Sequence, residues 1–298
     1  MRRRAARVES EPNEEARNDM AKRKQLDDFR VPFSNGDKGG KVFSLADFDP
    51  AGKPFSAGSK QADRERLMAY AAQLDEMQER LHAQRRERVL LVLQGMDTSG
   101  KDGTIRAVFH EVDPLGLRIA TFRVPTPDEA AHDFLWRVHR QAPAAGELTI
   151  FNRSHYEDVL VPRVRGEIDA DELKRRYAHI RHFETLMAQS GTAILKCFLH
   201  ISKDAQRERL QARIDDDTKH WKFDLADIEA RRHWDDYQLA YEEALAATST
   251  EHAPWYVVPA DSKAHRNLMV AALLLRVFQS LDLRYPPGKE SLKGLTIA

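Results

Sequence analysis

Val89–Thr104 reads VLLVLQGMDTSGKDGT, and its two halves obey different rules. Val89–Leu93 is a short continuous apolar run of valine and leucine, the pattern of a strand buried on both faces of a parallel sheet. Gly95, Gly100 and Lys101 then occupy the fixed positions of the phosphate-loop pattern G-x-x-x-x-G-K-[ST], with Asp102 where the hydroxyl residue belongs. The segment TIRAVFHEV that follows is predicted to be helical. Strand, glycine loop and helix in that order bring backbone N–H groups and a helix N-terminus to an anion, and Lys101 adds a point charge. Gly95, Met96, Thr98, Ser99, Gly100, Asp102, Gly103 and Thr104 are therefore the expected phosphate and nucleotide contacts. An ordinary Gly-rich turn is the plainer alternative. Without the hydroxyl that usually helps hold Mg²⁺, the metal needs another anchor. Asp97 is the candidate, because an acid among phosphates repels them unless a cation lies between; a turn-forming aspartate is the alternative.

Outward from the loop, runs of the same apolar kind stand at residues 118–124, 147–151, 192–201 and 255–260. Helical segments alternate with them. Leu67, Tyr70, Leu74, Met77 and Leu81 recur at helical spacing, and Gly191 closes the helix ELKRRYAHIRHFETLMAQS. Thr126, Pro127 and Glu129 form a cap, first-turn proline and capping box for a helix predicted to run through FLWRVHRQ. Five strands separated by helices imply right-handed crossovers and an α/β fold, a three-layer α/β/α sandwich with a parallel five-stranded sheet. The expected organisation is a charged, disordered tail over residues 1–28 and one domain over 29–290. That domain begins with an extended arm over residues 31–54. The apolar C-terminal helix NLMVAALLLRVFQSL serves either the core or an interface.

Composition narrows the partners. The 298 residues carry 47 basic and 47 acidic side chains, which gives no electrostatic reason to expect nucleic acid or membrane. Cys197 is the single cysteine, set in an apolar run, so it reads as buried and inert, and no intrachain disulfide can form. No apolar run approaches the roughly 18 residues of a membrane span and no secretory signal opens the chain, so a cytoplasmic protein is expected.

Two further constellations carry chemistry. IFNRSHYEDVLVPRVRG (150–166) follows the third strand, and residues at the C-terminal ends of parallel strands line the ligand crevice. Asn152, Arg153, Glu157 and Asp158 are expected to face the phosphate loop, with Arg153 stabilising a transferring phosphoryl group. For Arg163 and Arg165 a solvated helix surface is the simpler reading. RERLQARIDDDTKHWKFDLADIEARRHW, near 205–235, groups Arg209, Arg213, Lys219 and Lys222. By itself a charged helix is a solvated face, but downstream of a phosphate loop such a segment is expected to be a lid that closes over phosphates. Twelve histidines without H-E-x-x-H or a cysteine pair give no zinc site, and His155 reads as structural.

GMDTSGKDGT, PTPDEAAHDFLWRVHRQAPAAGE, FNRSHYEDVLVPRV, the WKF lid and TSTEHAPWYVVPA, in this order over residues 30–285, resemble the second polyphosphate kinase family. That family is a branch of phosphate-loop kinases related in fold to thymidylate kinases. The resemblance implies phosphate transfer between inorganic polyphosphate and nucleotides with Mg²⁺. Asp97 and Lys101 then manage metal and phosphate, Asp102 is the family's own residue, and Arg213 joins Asn152 and Arg153 in catalysis. Position 152 is Asp in many members and Asn here, so Asn152 acts on metal directly or through water. Glu157 resembles the subclass, class III, that phosphorylates both AMP and ADP. Arg209, Lys219 and Lys222 are expected to bind the polyphosphate, and the family commonly forms dimers or tetramers. The alternatives are an ATP-dependent nucleoside monophosphate kinase and a noncatalytic nucleotide-binding protein.

Overall fold

The computed structural model describes residues 25–33, 43–290 and 295–297. All five expected strands form, as β1 (Arg88–Gln94), β2 (Leu117–Thr121), β3 (Leu148–Asn152), β4 (Thr192–His200) and β5 (Trp255–Pro259). They make one parallel sheet in the order β2-β3-β1-β4-β5. Every residue of β1 after Arg88 is buried, as a central strand covered on both faces requires. One helical layer contains α1 (Lys60–Gln84), α2 (Lys101–Val108) and α10 (Lys263–Ser280). The other contains α5 (Glu157–Arg165), α6 (Ala170–Gln189) and α9 (Trp234–Thr248).

The local reasons are those of the sequence. Ser59 caps α1 by accepting from the Ala62 N–H, and Leu67, Leu74 and Leu81 bury its inner face. Leu268, Leu273 and Leu274 of α10 are fully buried against α1, α2, β4 and β5, so this helix belongs to the core of the chain. Each such leucine contributes about 1.5–3 kcal/mol relative to exposure.

Three expectations change. The capping box at Thr126 is present, but the helix stops at once, and α3 (Pro127–Ala130) and α4 (Trp136–His139) are separate single turns. Asp133 explains the break, because its side chain accepts from the Leu135 N–H at 3.0 Å and its carbonyl from the Trp136 N–H, in place of helix bonds. The second strand ends at Thr121, three residues early. The charged stretch before residue 25 lies outside the described residues, whereas Leu26, at the end of the expected tail, is buried. The arm beyond it pads the sheet edge: Val31 N–H donates to Trp255 O, Val257 N–H donates to Phe29 O, and Arg30 bridges antiparallel to Tyr256.

The segment expected to form a lid folds as α7 (Lys203–Ile214), a 3₁₀ turn (Asp217–Lys222) and α8 (Leu225–Arg232). Among the described residues no helix is long and apolar enough to cross a membrane.

Candidate active site

The loop between β1 and α2 turns through Gly95 (φ +150°), Thr98 (φ +62°) and Gly100 (φ +105°). Gly100 is required twice over, by its backbone conformation and because a Cβ there would lie 1.9 Å from Nη1 of Arg266. The loop's carbonyls are tied down one by one. Lys101 Nζ donates to Gly95 O at 2.6 Å and Met96 O at 3.4 Å, and Gln206 to Asp97 O at 3.2 Å. Arg209 donates to Thr98 O (2.9 Å) and Ser99 O (3.3 Å), Arg266 to Ser99 O (2.9 Å), and the Thr104 N–H to Gly100 O (2.8 Å). Arg266 is buried, and it and Thr104 both donate to the Asn267 side-chain oxygen. A loop whose carbonyls are fixed in this way holds its shape before any anion arrives.

Register places the second motif against this loop. Leu93 of β1 lies opposite Asn152 of β3, and the Arg153 N–H donates to Leu93 O at 3.1 Å. Arg153 has φ +63°. Its guanidinium pairs with Asp97 (Nη2 to Oδ1, 2.7 Å) and with Glu157 (Nη1 to Oε2, 3.5 Å). Burial, and next the Arg153 charge, push Lys101 down to about 8. From α8, Asp227 meets Asp97: burial and then the Asp97 charge raise its carboxyl to about 6. Arg213 donates to Asp227 Oδ2 at 3.3 Å and to Lys222 O at 2.9 Å. The site therefore gathers Asp97, Lys101, Arg153, Glu157, Arg213 and Asp227.

Other expected residues lie elsewhere. Asn152 faces Asp102, donating from Nδ2 to Oδ1 at 2.7 Å, and so joins the end of β3 to the first turn of α2. Asp158 turns away from the loop to Arg137, which donates to both of its oxygens at 3.1 and 2.8 Å. Burial raises the Asp158 carboxyl despite that pair. Arg209, expected on a polyanion, bonds only main-chain carbonyls in its described contacts, those of Thr98 and Ser99 and, at 2.7 and 2.8 Å, of Ala260 and Asp261. It clamps the loop. Lys219 is exposed and paired with Asp216, and Lys222 Nζ lies 4.7 Å from the Trp221 ring centroid. His155 is buried against Glu184, and burial lifts the Cys197 thiol out of its reactive range, as read from the sequence.

Asp227 was missed because it is one of seven acids interleaved with the seven arginines and lysines for which the segment was read. Asp224, three residues earlier, is an ordinary helix cap that accepts from the Ala226 N–H; burial separates the two, and charge pattern does not. Among the described residues no group of three His, Cys, Asp or Glu is placed to hold a metal ion. Asp97 and Asp227 nevertheless suit a hard divalent cation that keeps waters and takes further oxygens from phosphates. Beside the Arg153 turn, Pro125, Phe134, Arg137, Asp158, Arg176 and His179 help line a cleft of about 600 Å³.

Residues 57–285 match the family model described as Polyphosphate kinase 2 (PPK2). The chain is 51% identical over 255 residues to an AMP/ADP-polyphosphate phosphotransferase of Meiothermus ruber, spanning 86% of this chain and 96% of that one. It is 43% identical over 240 residues to an ADP-polyphosphate phosphotransferase of Rhodopseudomonas palustris, spanning 76% and 83%. The crystal structure of Polyphosphate Kinase 2 from Arthrobacter aurescens TC1 superposes with a TM-score of 0.81 at 45% identity, covering 87% of this chain and 94% of that one.

Proposed function

The chain belongs to the polyphosphate kinase 2 family, and from that premise we propose that it transfers the terminal phosphoryl group of inorganic polyphosphate to AMP and to ADP, reversibly and with Mg²⁺. The observation that carries the proposal is the meeting of Lys101, Arg153 and the Asp97–Asp227 pair at the C-terminal ends of β1 and β3.

A terminal phosphate oxygen of the acceptor attacks the terminal phosphorus of the polyphosphate. That P–O bond forms as the bond to the next phosphate breaks, leaving the donor one unit shorter. The attacking oxygen is already ionised at neutral pH, so no general base is needed. Lys101 and Arg153 hold the transferring group in line and meet its charge, and Arg213 approaches from the lid. Mg²⁺, when bound at Asp97 and Asp227, supplies charge neutralisation between the phosphate groups. The acceptor's nucleoside is assigned to the cleft beside Phe134 and Arg137, since that cleft shares Asp158 with the catalytic turn. Glu157, held by Arg153, supports acceptance of both mono- and diphosphates by its match to class III. A cytoplasmic homo-oligomer completes the proposal, with its contacts on surfaces other than α10, which the chain's own core covers.

The test is to incubate the protein with AMP, Mg²⁺ and polyphosphate, without ATP, and to separate nucleotides over time by anion exchange. ADP followed by ATP supports the proposal. Conversion of ADP with AMP untouched leaves a diphosphate-specific enzyme, in keeping with the Rhodopseudomonas relative's name. If only ATP plus AMP reacts, the donor is a nucleotide and the polyphosphate assignment fails.

A further inference from the structure

The turn that presents Arg153 and Glu157 has an inner side. Ser154, His155 and Tyr156 are buried beneath them. Below lies a closed polar network built from four other elements. Lys196 of β4 donates from Nζ to Glu184 Oε2 of α6 (2.6 Å), to the Tyr156 hydroxyl (3.0 Å) and to Thr248 O of α9 (2.9 Å), so its three protons all have acceptors. The Tyr156 hydroxyl lies 2.9 Å from both Glu184 Oε1 and Thr248 Oγ1, and Trp255 Nε1 of β5 donates to Thr248 Oγ1 at 3.0 Å. His155 Nε2 approaches Glu184 Oε1 at 3.4 Å. Although burial opposes it, the Lys196 ammonium and these donors hold the Glu184 carboxyl below its usual range. The pair is ionic.

A buried ion pair is seldom there for stability, since apolar residues of similar volume are often as good or better. What this one does hold is conformation. Arg153 has a positive φ that a side-chain-bearing residue keeps only when its surroundings over-determine it, at a cost of about 1–3 kcal/mol. The turn's internal bonds, Tyr156 N–H to Ser154 Oγ and Glu157 N–H to Ser154 O, are local, and the Arg153 N–H bond to Leu93 O ties only its first residue to β1. The Tyr156 hydroxyl links that turn to β4, α6 and α9, with a second, longer contact to α6 from His155 Nε2 at 3.4 Å.

We infer that Tyr156, Lys196 and Glu184 are positioning residues for the phosphoryl transfer, holding the Arg153 guanidinium where the transferring charge develops. The inference rests on the proposed transfer for its kinetic consequence but not for its geometry, and the experiment separates the two. Tyr156→Phe removes only the hydroxyl, and Lys196→Met/Glu184→Leu removes both charges together, leaving none unpaired. The expected result is a fall in kcat of about tenfold or more for each, because misplacement by a fraction of an ångström is enough for that. KM for AMP and polyphosphate stays within twofold, and the melting temperature of Tyr156→Phe stays within a few degrees of wild type. In an Arg153→Ala background Tyr156→Phe lowers kcat no further. In parallel, the Arg153 Nε–Hε NMR resonance, assigned by its absence in Arg153→Ala, shifts or broadens in Tyr156→Phe. A kcat within twofold of wild type, an equal loss in the Arg153→Ala background, or an unchanged resonance overturns the inference. If the paired variant does not fold, Tyr156→Phe decides alone. A wild-type protein inactive with polyphosphate sinks the proposed transfer, and the resonance still decides the positioning role.

Discussion

Replacing Gly100 with alanine should collapse the phosphate loop's support, by an amount that can be worked out in advance. The new Cβ would stand 1.9 Å from Arg266 Nη1 and 2.5 Å from its central carbon, inside any allowed contact, so the guanidinium must move. Moving it breaks the bond to Ser99 O, a buried charge-assisted bond of about 1.5–3 kcal/mol. Alanine at φ +105° adds strain of about 1–3 kcal/mol. The total is near 4 kcal/mol, which for a domain of this size is a fall in melting temperature of about 8–16 °C. Arg266→Ala removes the obstacle, so in that background only the strain remains, and Gly100→Ala should cost about 2 kcal/mol less than in wild type. Thermal and denaturant unfolding of the four proteins measure the cycle. Strictly additive losses, or a single variant within 1 kcal/mol of wild type, would refute the close approach of Arg266 to the loop.

Because burial holds Lys101 near 8 and catalysis needs its charged form, kcat/KM for polyphosphate should fall as pH rises through about 8, roughly tenfold per unit; Lys101→Arg should lose that limb. Asp227→Asn should raise the Mg²⁺ concentration for half-maximal activity about tenfold or more, the worth of one charge-assisted contact, and chelation with EDTA should weaken polyphosphate binding itself in a calorimeter. Asn152→Asp sets a carboxylate against Asp102 in place of the 2.7 Å bond. The like charges raise a folded-state pKa, so the variant should lose about 1 kcal/mol at neutral pH and recover most of it as pH falls through that raised value toward the ordinary carboxylate pKa, as read from unfolding at pH 7 and pH 4. Phe134→Ala should raise KM for AMP and ADP about tenfold while leaving KM for polyphosphate unchanged, the effect of losing one aromatic face from the nucleoside cleft.

Much of this architecture was legible because it is periodic or local. The apolar runs located all five strands, and strand–loop–helix order located the glycine loop between β1 and α2. Arg153 and Glu157 followed from their place after β3. What escaped depends on partners far away in the chain. Arg209 reads as one more lid charge, yet its acceptors at Thr98 and Ser99 are more than 100 residues earlier. Arg266 lies in the first turn of a helix that looks apolar, and its acceptor Ser99 is 167 residues earlier. One signal was available: Lys196 interrupts TAILKCFLHI, a strand otherwise apolar on both faces. A lysine there must have a buried partner, although sequence alone cannot name Glu184. The break after Ala130 was also misread, because a good capping box says where a helix starts and nothing about where the next aspartate stops it.

The zero formal charge of the chain has a local counterpart in the site. Arg153 faces Asp97 and Glu157, and Arg213 faces Asp227, so with Lys101 three cationic groups stand among three carboxylates. Arg209 and Arg266 are occupied by main-chain carbonyls and fix the loop's shape. A polyanion arriving at such a site gains little from net charge, and the Asp97–Asp227 pair opposes it. On the proposed function, Asp97 and Asp227 would hold a divalent cation, whose two charges would offset the repulsion between these acids and phosphate. Metal and polyphosphate then favour each other's binding, and the affinity of each rises with the other by the same factor. The lid enters the same balance, because Asp227 and Arg213 belong to α8 and α7 while Asp97 belongs to the loop. On that proposal, neutralising the two acids would strengthen the packing of α7 and α8 on the loop that Gln206 and Arg209 already make, and would keep Arg213 beside the transferring group.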